Sequence, residues 1–164
     1  MFWTNQLENR DAIAGYTPLA EEIWRQTNGE VDAFVQSVGT AASLRGVAET
    51  LKRYKPGIHI VAVEPAESPV LSGGEAGPHK IEGIGVGFVP PLWDASIVDE
   101  IVSVKTDDAK AMARRLAREE GIFSGTSSGA NVIAAMQVRE RFPNVATLMV
   151  DSGLKYVNTD VFRR

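Results

Sequence analysis

Stretches with the composition of β-strands alternate with helical stretches along most of this 164-residue sequence. The clearest unit starts with an apolar stretch over residues 31–38, continues into an amphipathic helix that ends before Pro56, and closes with an apolar stretch over residues 58–63. A strand, a helix and a second strand in this order form a βαβ unit with two parallel strands. The alternation therefore predicts an α/β fold with three layers, αβα, around a mostly parallel sheet.

The rest of the sequence predicts further elements of the same single domain, which spans residues 1–164. In chain order they are a helix over residues 17–27 capped by Thr17, a strand over 101–104, a helix capped by Thr106 and ended by Gly121, a strand over 122–124, a helix over 130–141 and a strand over 146–150. Residues 64–96 are rich in proline and glycine and have little periodicity, which indicates a long loop. Loops of this length inside a compact domain are usually functional.

Composition excludes several classes of function. The sequence has no cysteine, so it has no disulfides, iron–sulfur ligands or thiol nucleophile. Its 17 Lys and Arg against 21 Asp and Glu give a net charge of −4, which lacks the basic footprint of a nucleic-acid-binding protein. The two histidines, His59 and His79, are far apart in the sequence, and we expect no metal site. With no membrane-spanning apolar run and no signal peptide, the sequence predicts a cytoplasmic protein that binds a small molecule or a partner.

Two glycine-containing turns lie where a predicted strand leads into a predicted helix, over residues 39–43 and 125–129. This is the end of the strand at which α/β sheets bind their ligands. In the first turn, Gly-Thr-Ala-Ala-Ser, backbone N–H groups at a helix N-terminus and two hydroxyls can cradle a phosphate. The alternative is that these small residues only permit tight packing.

The second turn, Gly-Thr-Ser-Ser-Gly, matches the Gly-x-Ser-x-Gly pattern that surrounds the nucleophile of α/β-hydrolases. Those enzymes need an acidic residue and then a histidine after the serine. Asp151 meets the first requirement, but no histidine follows His79. Without a base the Ser127 hydroxyl stays protonated and is a poor nucleophile, so the sequence disfavours a hydrolase.

Short segments spread over nearly the whole chain are familiar in their order. They are Asn5-Gln6, Glu8-Asn9, Ile23-Trp24, Val38-Gly39-Thr40, Ala62-Val63-Glu64-Pro65, Ser68-Pro69-Val70-Leu71, Gly77-Pro78-His79-Lys80-Ile81, Gly83-Ile84-Gly85, Arg114-Arg115-Leu116, Glu119-Glu120-Gly121 and Ser127-Ser128-Gly129-Ala130. Together they resemble the C-terminal half of the cysteine synthase (O-acetylserine sulfhydrylase) family, which consists of fold-type II enzymes dependent on pyridoxal 5′-phosphate. The resemblance implies the large domain of the tryptophan synthase β-like fold, incomplete at its N-terminus. It also implies β-elimination or β-replacement on an O-activated serine or cysteine.

The resemblance assigns roles to individual residues. The cofactor-binding residues it implies are Gly39, Thr40, Ala41, Ala42 and Ser43 around the phosphate, and Ser127 at the pyridine nitrogen. The residues implied on the substrate side are Gly83, Ile84 and Gly85, with residues 78–81 at a mobile mouth. A neutral hydroxyl beside the ring nitrogen, in place of a carboxylate, favours β-elimination and β-replacement.

Two departures from the family pattern affect these roles. The family's phosphate loop is usually Gly-Thr-Gly-Gly-Thr, and its two central glycines are Ala41 and Ala42 here. Because alanine disfavours positive φ, we expect ordinary φ at both positions or weaker phosphate binding. Residues 151–156, Asp-Ser-Gly-Leu-Lys-Tyr, replace the more common Ser-Gly-Glu-Arg-Tyr, which suggests a divergent branch.

The lysine that carries the cofactor in this family, its Schiff-base lysine, lies in an N-terminal Ser-x-Lys-x-Arg segment. None of the six lysines here, at positions 52, 55, 80, 105, 110 and 155, has that context. We therefore expect no catalytic residue in this chain, which would be inactive alone and bind at most phosphate or sulfate. The partners expected from the resemblance are a second copy in a homodimer, the missing N-terminal domain and serine acetyltransferase. The alternative is a non-catalytic dimerisation or partner-docking module that keeps the cysteine synthase fold.

Overall fold

A computed structural model describes residues 3–163. Its helices are α1 (Asp11–Ala14), α2 (Thr17–Gln26), α3 (Ala42–Tyr54), α4 (Thr106–Arg115) and α5 (Thr126–Arg139), and its strands are β1 (Ala33–Ser37), β2 (His59–Pro65), β3 (Glu100–Val104) and β4 (Val145–Thr147). Short 3₁₀ turns lie at Ala95–Ile97 and Gly153–Tyr156, and α4 continues into a π-helical turn over Leu116–Glu120. The four strands form one sheet in the order β3-β2-β1-β4, and every neighbouring pair is parallel.

Helices cover both faces of this sheet. Successive residues of a strand point to opposite faces, so β1 contributes Phe34 to the apolar cluster under α1, α2 and α3, and Ala33 and Val35 to the cluster under α4 and α5. These side chains are fully buried. The structure thus confirms the predicted three-layer α/β fold with a parallel sheet. Within residues 3–163, no helix is long and apolar enough to cross a membrane.

The second predicted turn is the largest difference from the sequence analysis. Residues 125–129 are not a separate turn, because Gly125 is the N-cap of α5 and the helix begins at Thr126. The strand predicted over residues 122–124 is also wrong, since Ser124 makes only an isolated antiparallel bridge to Ser152. The four residues that connect Gly121 to Thr126 are too few to cross the sheet as a strand.

Two predicted helix caps are shifted by one residue. Thr17 and Thr106 are the first residues of α2 and α4, and the N-cap positions are Tyr16 and Lys105. The Thr106 hydroxyl instead accepts a hydrogen bond from the Lys80 backbone N–H at 3.2 Å. This bond ties the long loop before β3 to the start of α4. The prediction that Gly121 ends the helix is confirmed, with Gly121 in the left-handed conformation at φ +69°.

Candidate functional site

The carboxyl edge of the sheet is where the chain brings its small polar residues together. The Ser37 backbone N–H, at the end of β1, donates to Asn131 Oδ1 of α5 at 2.7 Å. Asn131 Nδ2 donates to the Leu148 carbonyl, just after β4, at 2.9 Å. Asn131 thus fixes α5 to the ends of two strands, and Ser127 lies one turn earlier on the same helix face. In the sequence, Asn131 stands out as an amide side chain within an otherwise apolar helical stretch.

The predicted substrate-side segment packs directly on the predicted phosphate turn. The Gly85 N–H donates to the Val38 carbonyl at 3.1 Å. A Cβ placed on Gly39 would lie only 2.4 Å from the Gly83 carbonyl oxygen, so no side chain fits at position 39. Both Gly83 and Gly85 have positive φ, at +82° and +60°. The structure therefore places residues 39–43 and 83–85 side by side.

Ala41 contradicts the expectation of ordinary backbone angles in the phosphate turn. Its φ and ψ are +70° and −11°, in the left-handed region that favours glycine. This conformation turns the chain from the extended β1 into α3, whose first residue is Ala42. The Ala41 carbonyl accepts the Arg45 N–H at 2.9 Å and so opens the helical hydrogen-bond series. The alanine thus keeps a glycine-type turn at an energetic cost.

The N-terminus of α3 offers hydrogen-bond donors. The first backbone N–H groups of a helix have no partner within the helix. Ala42 N–H donates to the Thr40 hydroxyl at 3.3 Å, whereas the Ser43 and Leu44 N–H groups have no acceptor among the described residues. Together with the helix dipole, these free donors favour an anion at this end of α3.

Gln36 is a buried polar side chain beside this turn that the sequence analysis missed. It is only 4% exposed, and its Nε2 donates to Ser43 Oγ at 2.5 Å. Its Oε1 is buried and has no hydrogen-bond partner among the described residues. In the sequence, Gln36 stands out as an amide side chain in the otherwise apolar stretch that leads to the turn.

Ser127 and Ser128 are adjacent but differ in their contacts. The Ser128 hydroxyl accepts the Val150 N–H at 2.9 Å, which ties α5 to the segment after β4. Ser127 is 2% exposed, and no side-chain hydrogen bond joins its hydroxyl to another residue between 3 and 163. The Ser127 hydroxyl, at the start of α5, is thus available to a ligand.

Among residues 3–163, no catalytic triad surrounds Ser127. The carboxylate of Asp151 accepts hydrogen bonds from Lys155 Nζ and the Tyr156 hydroxyl, each at 2.8 Å. Burial raises the pKa of Tyr156, and Asp151 raises it further, so this phenol remains a protonated donor. His59 lies at the opposite edge of the sheet, where β2 begins. The contacts of Asp151 therefore give no support to a hydrolase.

His79, which the resemblance places at the mobile mouth of the substrate side, holds the glycine segment in place. The Ile81 N–H donates to its Nδ1 at 3.3 Å, so the ring proton lies on Nε2, which donates to the Gly85 carbonyl at 2.9 Å. This neutral tautomer bridges both ends of residues 81–85. Within residues 3–163, no cluster of three or more histidine, aspartate or glutamate side chains is arranged to hold a metal ion.

A buried carboxylate anchors the start of the long loop at the same edge. Glu64, near the end of β2, accepts the Leu71 N–H at 2.8 Å and the Ser72 hydroxyl at 2.5 Å. Glu67 accepts the Thr106 N–H at 2.8 Å. The loop is thus fixed at the carboxyl ends of the strands, around the candidate site.

An all-parallel α/β sheet with a donor-rich turn and unpaired hydroxyls at its carboxyl edge is typical of proteins that bind an anionic small molecule there. Comparison with known families gives the particular class. The family model described as pyridoxal-phosphate dependent enzyme matches residues 1–153, and the chain belongs to this family. The cofactor of the family is pyridoxal phosphate.

Individual relatives are cysteine synthases. The chain is 46% identical over 153 residues to cysteine synthase 3 of Caenorhabditis elegans, covering 91% of this chain and 45% of that protein. It is 45% identical over 145 residues to a cysteine synthase of Staphylococcus aureus, covering 86% of this chain and 47% of the relative. The chain thus spans about half the length of the curated relatives it matches.

Solved structures give the same result. O-acetylserine sulfhydrylase isoform 3 of Entamoeba histolytica superposes with a TM-score of 0.96 at 44% identity, covering 99% of this chain and 50% of that chain. O-ureido-L-serine synthase superposes with a TM-score of 0.93 at 35% identity, covering 98% of this chain and 52% of that chain. These likenesses confirm the tryptophan synthase β-like fold class and the resemblance to cysteine synthase-like enzymes.

Proposed function

We propose that this chain is the C-terminal, large-domain half of a cysteine synthase-like enzyme, which catalyses β-elimination or β-replacement on an O-activated serine or cysteine. The observation that carries the proposal is the meeting of the phosphate turn, the glycine segment and the N-terminus of α5 at one edge of the sheet. The cysteine synthase relatives, each about twice as long as the matched region, support it.

The residues present fit the cofactor at both of its polar ends. Free N–H groups of Ser43 and Leu44 and the hydroxyl of Ser43 suit a phosphate, and the hydroxyl of Ser127, in the first turn of α5, suits a neutral ring nitrogen. Pyridoxal phosphate, when bound, supplies the electron sink that β-elimination needs. Ser127 orients the ring without fixing a proton on its nitrogen, since a hydroxyl is not a charged partner.

The glycine segment serves the substrate side of the proposed site. Gly83, Ile84 and Gly85 present backbone where a side chain would fill the space, and His79 fixes the direction of the Gly85 carbonyl. A bare backbone lets the amino-acid substrate approach closely. The lysine that carries the cofactor and the N-terminal domain are proposed to come from outside these 164 residues.

A binding experiment tests the proposal. Isothermal titration of the purified chain with pyridoxal phosphate and with pyridoxal, which lacks the phosphate, separates phosphate binding from reactions of the aldehyde. We expect heat of binding from pyridoxal phosphate alone, competed by sulfate and weakened several-fold by Ser43→Ala. Equal binding of the two compounds, or no competition by sulfate, would contradict the proposed site.

A further inference from the structure

The side chain of Gln36 is a buried amide beside the phosphate turn whose hydrogen bonding is incomplete within the described residues. Gln36 lies on the central strand β1 and faces α3, on the same side of the sheet as Phe34 and Val38. Its amide nitrogen donates to Ser43 Oγ, while its amide oxygen is buried without a partner. Buried amide oxygens are rarely left unpaired, so this arrangement calls for a physical reason.

The direction of the Gln36–Ser43 hydrogen bond determines what Ser43 offers to a ligand. When the amide N–H donates to Ser43 Oγ, the hydroxyl hydrogen remains free to donate elsewhere. If the amide were turned over, its oxygen would accept that hydrogen and the hydroxyl would present only a lone pair, which repels an anion. With Gln36 Nε2 as the donor, Ser43 keeps its hydroxyl hydrogen as a donor beside its own free N–H group.

We propose that Gln36 is a positioning residue for the anion site at the N-terminus of α3: its amide donates to Ser43 so that the Ser43 hydroxyl donates to the bound phosphate. The inference rests on the proposed function, since it needs a phosphate group at this turn. The chain of donors strengthens when it ends on a negative charge, because each hydrogen bond polarises the next. This gain in hydrogen-bond strength offsets the cost of burying the Gln36 amide oxygen without a partner.

Sulfate is the probe that tests this inference, because its charge stays the same between about pH 5 and pH 8 whereas that of phosphate changes. In Gln36→Glu an ionised carboxylate accepts the Ser43 hydroxyl hydrogen and repels the anion. A protonated carboxyl group donates to Ser43 Oγ as the amide does. Burial raises the pKa of a glutamate at this position, so both forms fall within the tested range.

We expect Gln36→Glu to bind sulfate at least about tenfold more weakly than the wild type at about pH 8, and to recover most of that loss at about pH 5. Gln36→Met, which has a similar length and no hydrogen bond, serves as the matched control. Gln36→Met should bind sulfate about two- to fivefold more weakly than the wild type at both pH values, because the Ser43 hydroxyl is then free to rotate. If Gln36 had a purely structural role, both variants would bind sulfate more weakly, and Gln36→Glu would not recover its affinity at low pH.

Four results would overturn the inference. If Gln36→Glu and the wild type bind sulfate equally at both pH values, or if Gln36→Glu is weak at both, Gln36 does not direct the hydroxyl and the proposed function stands. If the wild type binds no sulfate or phosphate, the proposed site fails and the inference fails with it. Circular dichroism monitors folding, and should Gln36→Glu be unfolded, unaltered sulfate binding by Gln36→Met would equally overturn the inference.

Discussion

At the scale of the residue, Ala41 is where the sequence and the backbone of the candidate site are in conflict. A left-handed conformation costs a residue with a Cβ about 1–2 kcal/mol relative to the right-handed helix, and glycine avoids that cost. Ala41→Gly should therefore raise the free energy of unfolding by about 0.5–1 kcal/mol after the greater flexibility of the unfolded glycine is subtracted. Urea denaturation measures the change.

Ala42 is the matched control for that experiment. It is the next residue, is equally buried, and begins α3 in helical geometry. Ala42→Gly should lower the free energy of unfolding by up to about 1 kcal/mol, since glycine disfavours a helix. Loss of stability in both variants would show that Ala41 is not strained in solution.

Ser127 and Ser128 give a second contrast between neighbours. Ser127→Ala removes a hydroxyl that makes no side-chain hydrogen bond to another described residue, so stability should stay about the same. Ser128→Ala leaves the Val150 N–H without its acceptor and should cost about 1–2 kcal/mol. Thermal unfolding of the two variants is the measurement. If Ser127→Ala lost as much stability as Ser128→Ala, the Ser127 hydroxyl would have a structural hydrogen-bond partner and would not be available to a ligand.

At this scale the sequence predicted which residue types form the site but not their backbone angles. The glycines at 39, 83 and 85 and the hydroxyls at 43 and 127 were visible as motifs. The left-handed angle at Ala41 was not, because it follows from the path between β1 and α3, which tertiary packing sets. Gln36 was missed for the same reason, since only the fold brings it to Ser43.

At the scale of the element, a charge cluster holds the amino edge of the sheet. Glu100, at the start of β3, accepts hydrogen bonds from Arg141 at 2.6 Å and from His59, at the start of β2, at 3.0 Å. Burial acts to raise the pKa of Glu100, but these two partners outweigh it and hold the pKa below the ordinary value of 4.5. A lowered pKa stabilises the fold above pH 4.5, and this contribution is lost as the pH falls through the pKa of the folded state.

Glu100→Gln should therefore lower the free energy of unfolding by about 1 kcal/mol at neutral pH, and the difference from the wild type should shrink as the pH falls below 4.5. Glu119→Gln is the control, because Glu119 forms an exposed pair with Arg115 within α4 and its π-helical extension. It should change stability by less than about 0.5 kcal/mol at neutral pH. Denaturant titrations at several pH values give both results, and a Glu100→Gln difference independent of pH would contradict the assignment.

The order of the helices and strands was predictable from the sequence, whereas the residues at which they begin and end were less predictable. Apolar periodicity identified β1, α3, β2 and α4, because each has a buried face of regular spacing. The start of α5 was placed at residue 130, although the helix begins at Thr126. Glycine and hydroxyl residues are typical of turns, but here Gly125 packs against Asp151, where a Cβ would lie 2.2 Å from Oδ1, and the small side chains of the first helical turn are buried.

At the scale of the whole molecule, exposed apolar side chains indicate an interface. Val86, Phe88 and Val89 in the long loop are 40–52% exposed, and Leu154 after β4 is 69% exposed. Contiguous exposed apolar surface marks interaction sites, and we expect the chain to self-associate as a dimer. Sedimentation equilibrium over a range of concentrations measures this. Phe88→Ser should weaken association, while Tyr54→Ser, at a similarly exposed position on α3, should not. A wild type that stays monomeric at high concentration would count against the interface.

The incompleteness of the proposed site belongs to the same scale. Five of the six lysines pair with carboxylates: Lys52 with Asp99, Lys55 with Asp32, Lys80 and Lys110 with Asp160, and Lys155 with Asp151. Asp151 raises the pKa of Lys155, so the ammonium group of Lys155 stays charged and unreactive near neutral pH.

Incubation of the chain with pyridoxal phosphate followed by borohydride should consequently label no single lysine stoichiometrically. Peptide mass spectrometry is the measurement, and we expect scattered labelling well below one equivalent, similar with pyridoxal in place of pyridoxal phosphate. The reason is that the phosphate turn can hold one end of the cofactor, whereas its aldehyde meets no lysine with the required context within these 164 residues. Stoichiometric labelling of one lysine that depends on the phosphate group would show that the chain carries its own cofactor lysine, and the proposal that this lysine comes from outside would be wrong.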